Sequence, residues 1–117
     1  MYIINIYTLR NAMDFDCLEI ESLVGFDWDE GNRYKNEKKH ELKWQLIEEI
    51  FFNDPLLVLE DTKHSENECR CFALGMTDNE SYLFVVFTKR INKIRVISAR
   101  SMNKKERIVY ENVKKDS

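Results

Sequence analysis

The stretch that decides the fold runs from residue 69 to residue 100, CRCFALGMTDNESYLFVVFTKRINKIRVISAR. Two strand-like runs, Cys69 to Thr77 and Tyr82 to Thr88, flank Asp78-Asn79-Glu80-Ser81, which has the composition of a turn. A tight connection around Asn92 leads into a further strand, Ile94 to Ala99. Phe84-Val85-Val86-Phe87 is apolar without alternation, which predicts an interior strand covered on both faces. Upstream, Leu56 to Glu60 is a short apolar run, followed by the polar loop Asp61 to Asn67. Connections this short predict a largely antiparallel meander of about four strands.

On the N-terminal side, Trp44, Ile47 and Phe51 recur at helical spacing beside Leu46 and Ile50. Lys43 to Phe52 is therefore expected as an amphipathic helix, with Trp44, Ile47 and Phe51 packed on one sheet face. Pro55 ends it by biasing Asp54 away from helical geometry. Phe26-Asp27-Trp28-Asp29 alternates as a short strand or helix lead-in would. The polar segment Gly31 to His40 then reads as a short helix with acidic residues near its start. Asn103 to Val113 reads as a charged helix with Ile108 and Val109 on its apolar side. Two helices, a meander and a last helix make an α+β class.

A length of 117 residues, 44% hydrophobic and 33% charged, fits one soluble globular domain and argues against disorder. Residues 1–24 show no clear period and are set apart as an N-terminal extension, leaving residues 25–114 as a single domain. No apolar run reaches the ~20 residues a membrane helix needs. The start lacks the pattern of a secretory signal, and Cys17, Cys69 and Cys71 lack zinc-ligand spacing, so a reducing cytoplasm is the expected setting. The net charge of −3 conceals a polarity: −8 over residues 1–62, −2 over 63–88 and +7 over 89–117. Such asymmetry suits a polyanionic partner, and it equally suits a solvated basic helix.

Arg70, Arg95 and Arg100 stand inside or at the end of strand-like runs. A permanently charged side chain among apolar neighbours must reach solvent, a carboxylate such as Glu60 or Glu68, or a ligand. The planar guanidinium fork suits phosphate especially well. His40 and His64 are the only histidines, the side chains best placed to exchange protons near neutral pH. Their spacing supports no zinc motif. The chain also lacks a glycine-rich phosphate loop and a GxSxG elbow, which argues against an ATPase or a serine hydrolase.

In order along the chain, the segments Phe26-Asp27-Trp28-Asp29-Glu30 with Asn32, Lys39-His40, Phe51-Phe52-Asn53-Asp54-Pro55-Leu56, Glu60-Asp61 with His64-Ser65, and Glu68 and Arg70 with Ala73-Leu74-Gly75 form a set. Leu83 to Thr88, Ile94-Arg95-Val96-Ile97-Ser98-Ala99-Arg100, and Glu106-Arg107 with Tyr110-Glu111 complete it. Over about residues 25–111 this set resembles the BrnT family, toxins of type II toxin–antitoxin systems. The resemblance implies a RelE-like fold, with a small antiparallel sheet, two N-terminal helices and a C-terminal helix. It also implies endoribonuclease activity that inhibits translation without metal or cofactor. The implied partners are an RNA substrate and a ribbon–helix–helix BrnA-type antitoxin, with DNA reached only through the antitoxin and no membrane. Carried over, His40, Arg70 and Arg95 are the candidate catalytic residues, and Lys39, Arg100 and Tyr110 are candidate RNA contacts. Two positions depart from the family pattern. Glu41-Leu42 replace a common Gly-Val pair after the histidine, and Met76 replaces a common arginine. A non-enzymatic protein that binds an antitoxin and regulates transcription is the alternative from another class.

Overall fold

The structure is a computed structural model that describes residues 24–61 and 68–116. The readings of residues 1–23 and of His64 fall outside the described residues. Within them the chain runs α1 (Glu30–His40), α2 (Trp44–Glu49), β1 (Leu57–Glu60), β2 (Arg70–Met76), β3 (Tyr82–Arg90), β4 (Lys93–Ser101) and α3 (Lys104–Asp116). The four strands form one sheet in the order β1-β2-β3-β4, with every neighbour antiparallel. The α+β meander expected from the sequence is the fold.

Local chemistry explains the tight connections. Between β2 and β3, Glu80 N–H donates to the Thr77 carbonyl and Thr77 N–H to the Ser81 carbonyl, each at 2.9 Å. Glu80 closes this turn with a left-handed φ of 62°. Asp29 caps α1 through a reciprocal pair with Asn32. Asn103 and Glu106 make the same exchange at the start of α3, at 2.8 and 2.9 Å.

The sheet buries both faces, as the unbroken apolar run in β3 requires. On one face Ile47, Ile50 and Phe51 meet Cys71, Ala73, Leu83, Val85, Phe87 and Val96. On the other, Tyr110 and Met102 meet Leu57 and Leu74, with Tyr82, Phe84 and Val113 against them. Gly75 lets the α2 segment approach closely, because a Cβ there would stand 2.9 Å from Ile50 Cβ. Cys71 is free and buried in the first core. Burial, then the nearby Glu60 and Asp61 carboxylates, push its thiol up to about 12.

Two expectations change. The second helix ends at Glu49, and Ile50 to Phe52 form a turn, so the helix is shorter than its periodicity suggests. Ile47 and Phe51 join the core, whereas Trp44 is half-buried beside it. The Trp44 ring lies 6.0 Å from that of Trp28, and the Arg33 guanidinium sits 4.9 Å over it.

Helix α1 seals the open edge of β4 with polar side chains. Ala99 N–H donates to Asn36 Oδ1 at 3.0 Å, Lys35 Nζ donates to the Ile97 carbonyl at 3.0 Å, and Asn32 Nδ2 donates to the Val96 carbonyl at 3.4 Å. Buried Asn36 is therefore satisfied, and the edge is closed to further strand pairing. Just before α1, Phe26 bridges Ile94 in parallel and carries Asp27 and Asp29 alongside β4.

Candidate functional site

Strand register decides where the arginines go. Arg70 lies opposite Thr88, and Thr88 lies opposite Arg95, so the three share one row and one face. Successive strands are roughly 4.8 Å apart, which sets the two arginine backbones about 10 Å apart with Thr88 between them. Thr88 is buried and donates its hydroxyl to the Cys69 carbonyl.

Carboxylates flank the row on the outside. Asp61 N–H donates to the Arg70 carbonyl at 2.7 Å, which extends the ladder by one step. Asp61 Oδ2 lies 3.9 Å from Arg70 Nε. At the opposite end, Arg95 Nη2 donates to Asp29 Oδ2 at 2.7 Å, and Arg95 Nη1 lies 3.5 Å from Asp27 Oδ2. The row therefore reads acid, arginine, threonine, arginine, acid. The hydrogen bond from Asn32 N–H, followed by that from Arg95, holds the Asp29 carboxyl below its usual range. The Asp29 side chain in turn raises the already high affinity of Arg95 for its proton. Glu68, a partner considered from sequence, instead pairs with Arg90 at 3.2 Å.

Arg100 reaches the same face through an irregularity. Five positions separate it from Arg95, which strict alternation would turn to opposite faces. The register shifts between Val86 and Phe87, which pair with Ser98 and Val96 and leave Ile97 as an extra residue. Arg100 then lies opposite Phe84, with its guanidinium 4.2 Å over that ring. Both terminal nitrogens bind Glu106, at 2.8 and 2.9 Å, which ties the arginine to the start of α3.

The remaining candidates lie elsewhere. Asn32 sits against Val96 and Asn36 against Ala99, so α1 runs alongside β4 toward Ser101. Lys39 and His40, in the exposed last turn of α1, belong to that end and not to the Arg70–Arg95 row. Tyr110 is fully buried, and its hydroxyl donates to the Pro55 carbonyl at 2.6 Å. It packs at 5.1 Å against Tyr82, which makes it a core residue. Surface grooves beside α3, lined by Met102, Arg107, Ile108 and Glu111, contain none of the three sheet arginines. Among the described residues no cluster of three or more His, Cys, Asp or Glu side chains is placed to hold a metal ion.

Sequence reading found the arginines by their rarity in apolar runs and missed Asp29, Asp61, Thr88 and Glu106. The capping signal at Asp29 and Asn32 was present in the sequence. Its second use by an arginine 66 positions away was not, because only the folded register brings the two together.

No curated protein matches the chain. The profile of the family described as ribonuclease toxin, BrnT, of type II toxin–antitoxin systems matches residues 28–106, about two thirds of the sequence. That span holds both N-terminal helices, the whole sheet and the Glu106 partner of Arg100. The chain belongs to the BrnT family of type II toxin–antitoxin toxins.

Proposed function

We propose that this toxin is an endoribonuclease that inhibits translation by cutting RNA on the sheet face of the Arg70–Thr88–Arg95 row. The observation that carries the reading is the shared row of two half-buried arginines, each flanked from outside by a carboxylate. The 2′-hydroxyl gives up its proton and attacks the adjacent phosphate, the bond to the 5′-oxygen breaks and that oxygen takes up a proton, and the phosphorane between the two states carries added negative charge. Fixed guanidinium groups stabilise that charge with little reorganisation. Arg100 extends the arginine face toward α3. Lys39 and His40 serve as contacts to the RNA chain beyond the row, so His40→Ala weakens binding more than it slows the bound reaction. No cofactor is assigned, and the chemistry is read as independent of metal.

The partner in this reading is a ribbon–helix–helix antitoxin of the BrnA type, which alone contacts DNA, and the complex acts in the cytoplasm. Type II membership supports an antitoxin partner, and the excess of basic residues after position 88 supports an acidic or amphipathic toxin-binding segment. The test incubates purified protein with labelled single-stranded RNA, with and without EDTA. Cleavage in both, abolished by a co-purified small partner, is the expected result. Failure to cut RNA under either condition would favour the non-enzymatic, autoregulatory reading.

A further inference from the structure

The geometry points to Asp29 as a positioning residue for Arg95, a brace that aims its guanidinium at the phosphate of the bound RNA. This inference rests on the proposed cleavage site.

Asp29 divides its two oxygens between two tasks. Oδ1 accepts from Asn32 N–H at 2.8 Å and caps α1, while Oδ2 accepts from Arg95 Nη2 at 2.7 Å. Asn32 completes the frame, because its Oδ1 accepts from Asp29 N–H at 2.7 Å. Its Nδ2 donates to the Asp27 carbonyl at 3.2 Å and the Val96 carbonyl at 3.4 Å. Val96 directly follows Arg95, so both ends of the brace return to the same stretch of β4.

A carboxylate beside a cationic site has two readings, a brace or a mask that competes with phosphate. A mask must be able to let go. Asp29 cannot swing away without uncapping α1 and opening its reciprocal bond with Asn32. A guanidinium has five donors, and the contacts to Asp29 and Asp27 engage the two terminal nitrogens, so the remaining donors stay available in a fixed orientation. The Arg95 side chain is 20% exposed, enough to meet a ligand on the sheet face.

The two readings give opposite kinetics. Removing a negative charge near RNA should by itself tighten binding and, for a mask, raise the rate. For a brace the bound reaction slows, because a misdirected group forfeits orientation. The variant is Asp29→Asn, whose amide oxygen still caps the helix. We expect kcat on a labelled single-stranded RNA to fall roughly 10–100-fold while KM does not rise. The melting temperature at neutral pH should fall only slightly, because the Asp29–Arg95 pair lies at the surface and the helix cap is kept. Arg95→Ala is run beside it. If Arg95→Ala loses activity and Asp29→Asn keeps or gains it, the brace is wrong. If Arg95→Ala cuts at the parent rate, the cleavage site itself is misassigned. NMR of the arginine Nε–Hε groups tests the brace without cleavage. The Arg95 signal should lose its order in Asp29→Asn while the amide signals of α1 hold their positions, and an unchanged Arg95 signal would overturn the brace.

Discussion

Glu41 ends α1 in the left-handed conformation, with φ 57° and ψ 31°. A Cβ there is strained, whereas glycine adopts this cap freely. Glu41→Gly is expected to stabilise the fold by about 1 kcal/mol, read as a higher denaturant midpoint at unchanged slope. A lower midpoint would mean that Glu41 makes a compensating contact. Tyr110 carries the opposite lesson. The family resemblance makes Tyr110 a candidate RNA contact, yet in the fold its hydroxyl satisfies a buried carbonyl. Tyr110→Phe should cost about 1–2 kcal/mol and leave RNA affinity unchanged. Weaker RNA binding at unchanged stability would return the residue to the site. The arginines were legible one at a time because buried arginine is rare. Their partners were not, since Asp27, Asp29 and Asp61 come from other elements.

Among the elements, the hairpins were readable because turn residues and apolar runs are local signals. The sealing of β4 was not. Helix α1 is almost wholly polar and would read as a solvated surface helix, but Asn32, Lys35 and Asn36 spend that polarity on the backbone of an edge strand. Asn36→Ala leaves the Ala99 N–H buried without its acceptor, at a cost of about 1–3 kcal/mol. Hydrogen exchange at Ala99 should accelerate well before exchange in β2 does. Equal protection in variant and parent would show that α1 is not what closes this edge. The extra residue Ile97 is a second hidden feature. A pattern of period two cannot announce it, yet it alone returns Arg100 to the Arg95 face.

For the molecule as a whole, acid sensitivity follows from the carboxylates that hold the arginine face. Asp29 is depressed by the Asn32 N–H and then by Arg95. Burial raises the Glu106 carboxyl, but the Arg100 fork and the Asn103 N–H outweigh it and leave the group lowered. A depressed carboxylate contributes stability that is complete above its ordinary value, here 3.8 and 4.5, and that is lost as the pH falls through the folded value. Stability should therefore be level from about pH 6 to 7 and decline below about pH 4, with Asp29→Asn and Glu106→Gln together flattening the decline. An acid limb identical in the double variant would place the sensitivity in other groups.

In the proposed reaction Arg70 and Arg95, on one sheet row, stabilise the charge of RNA cleavage. Single-turnover cleavage of a labelled RNA by Arg70→Ala and Arg95→Ala, each with a melting curve, tests it most directly. Each variant should lose roughly 10²–10³-fold in rate while remaining folded at the assay temperature. Cleavage by both folded variants at the parent rate would contradict it.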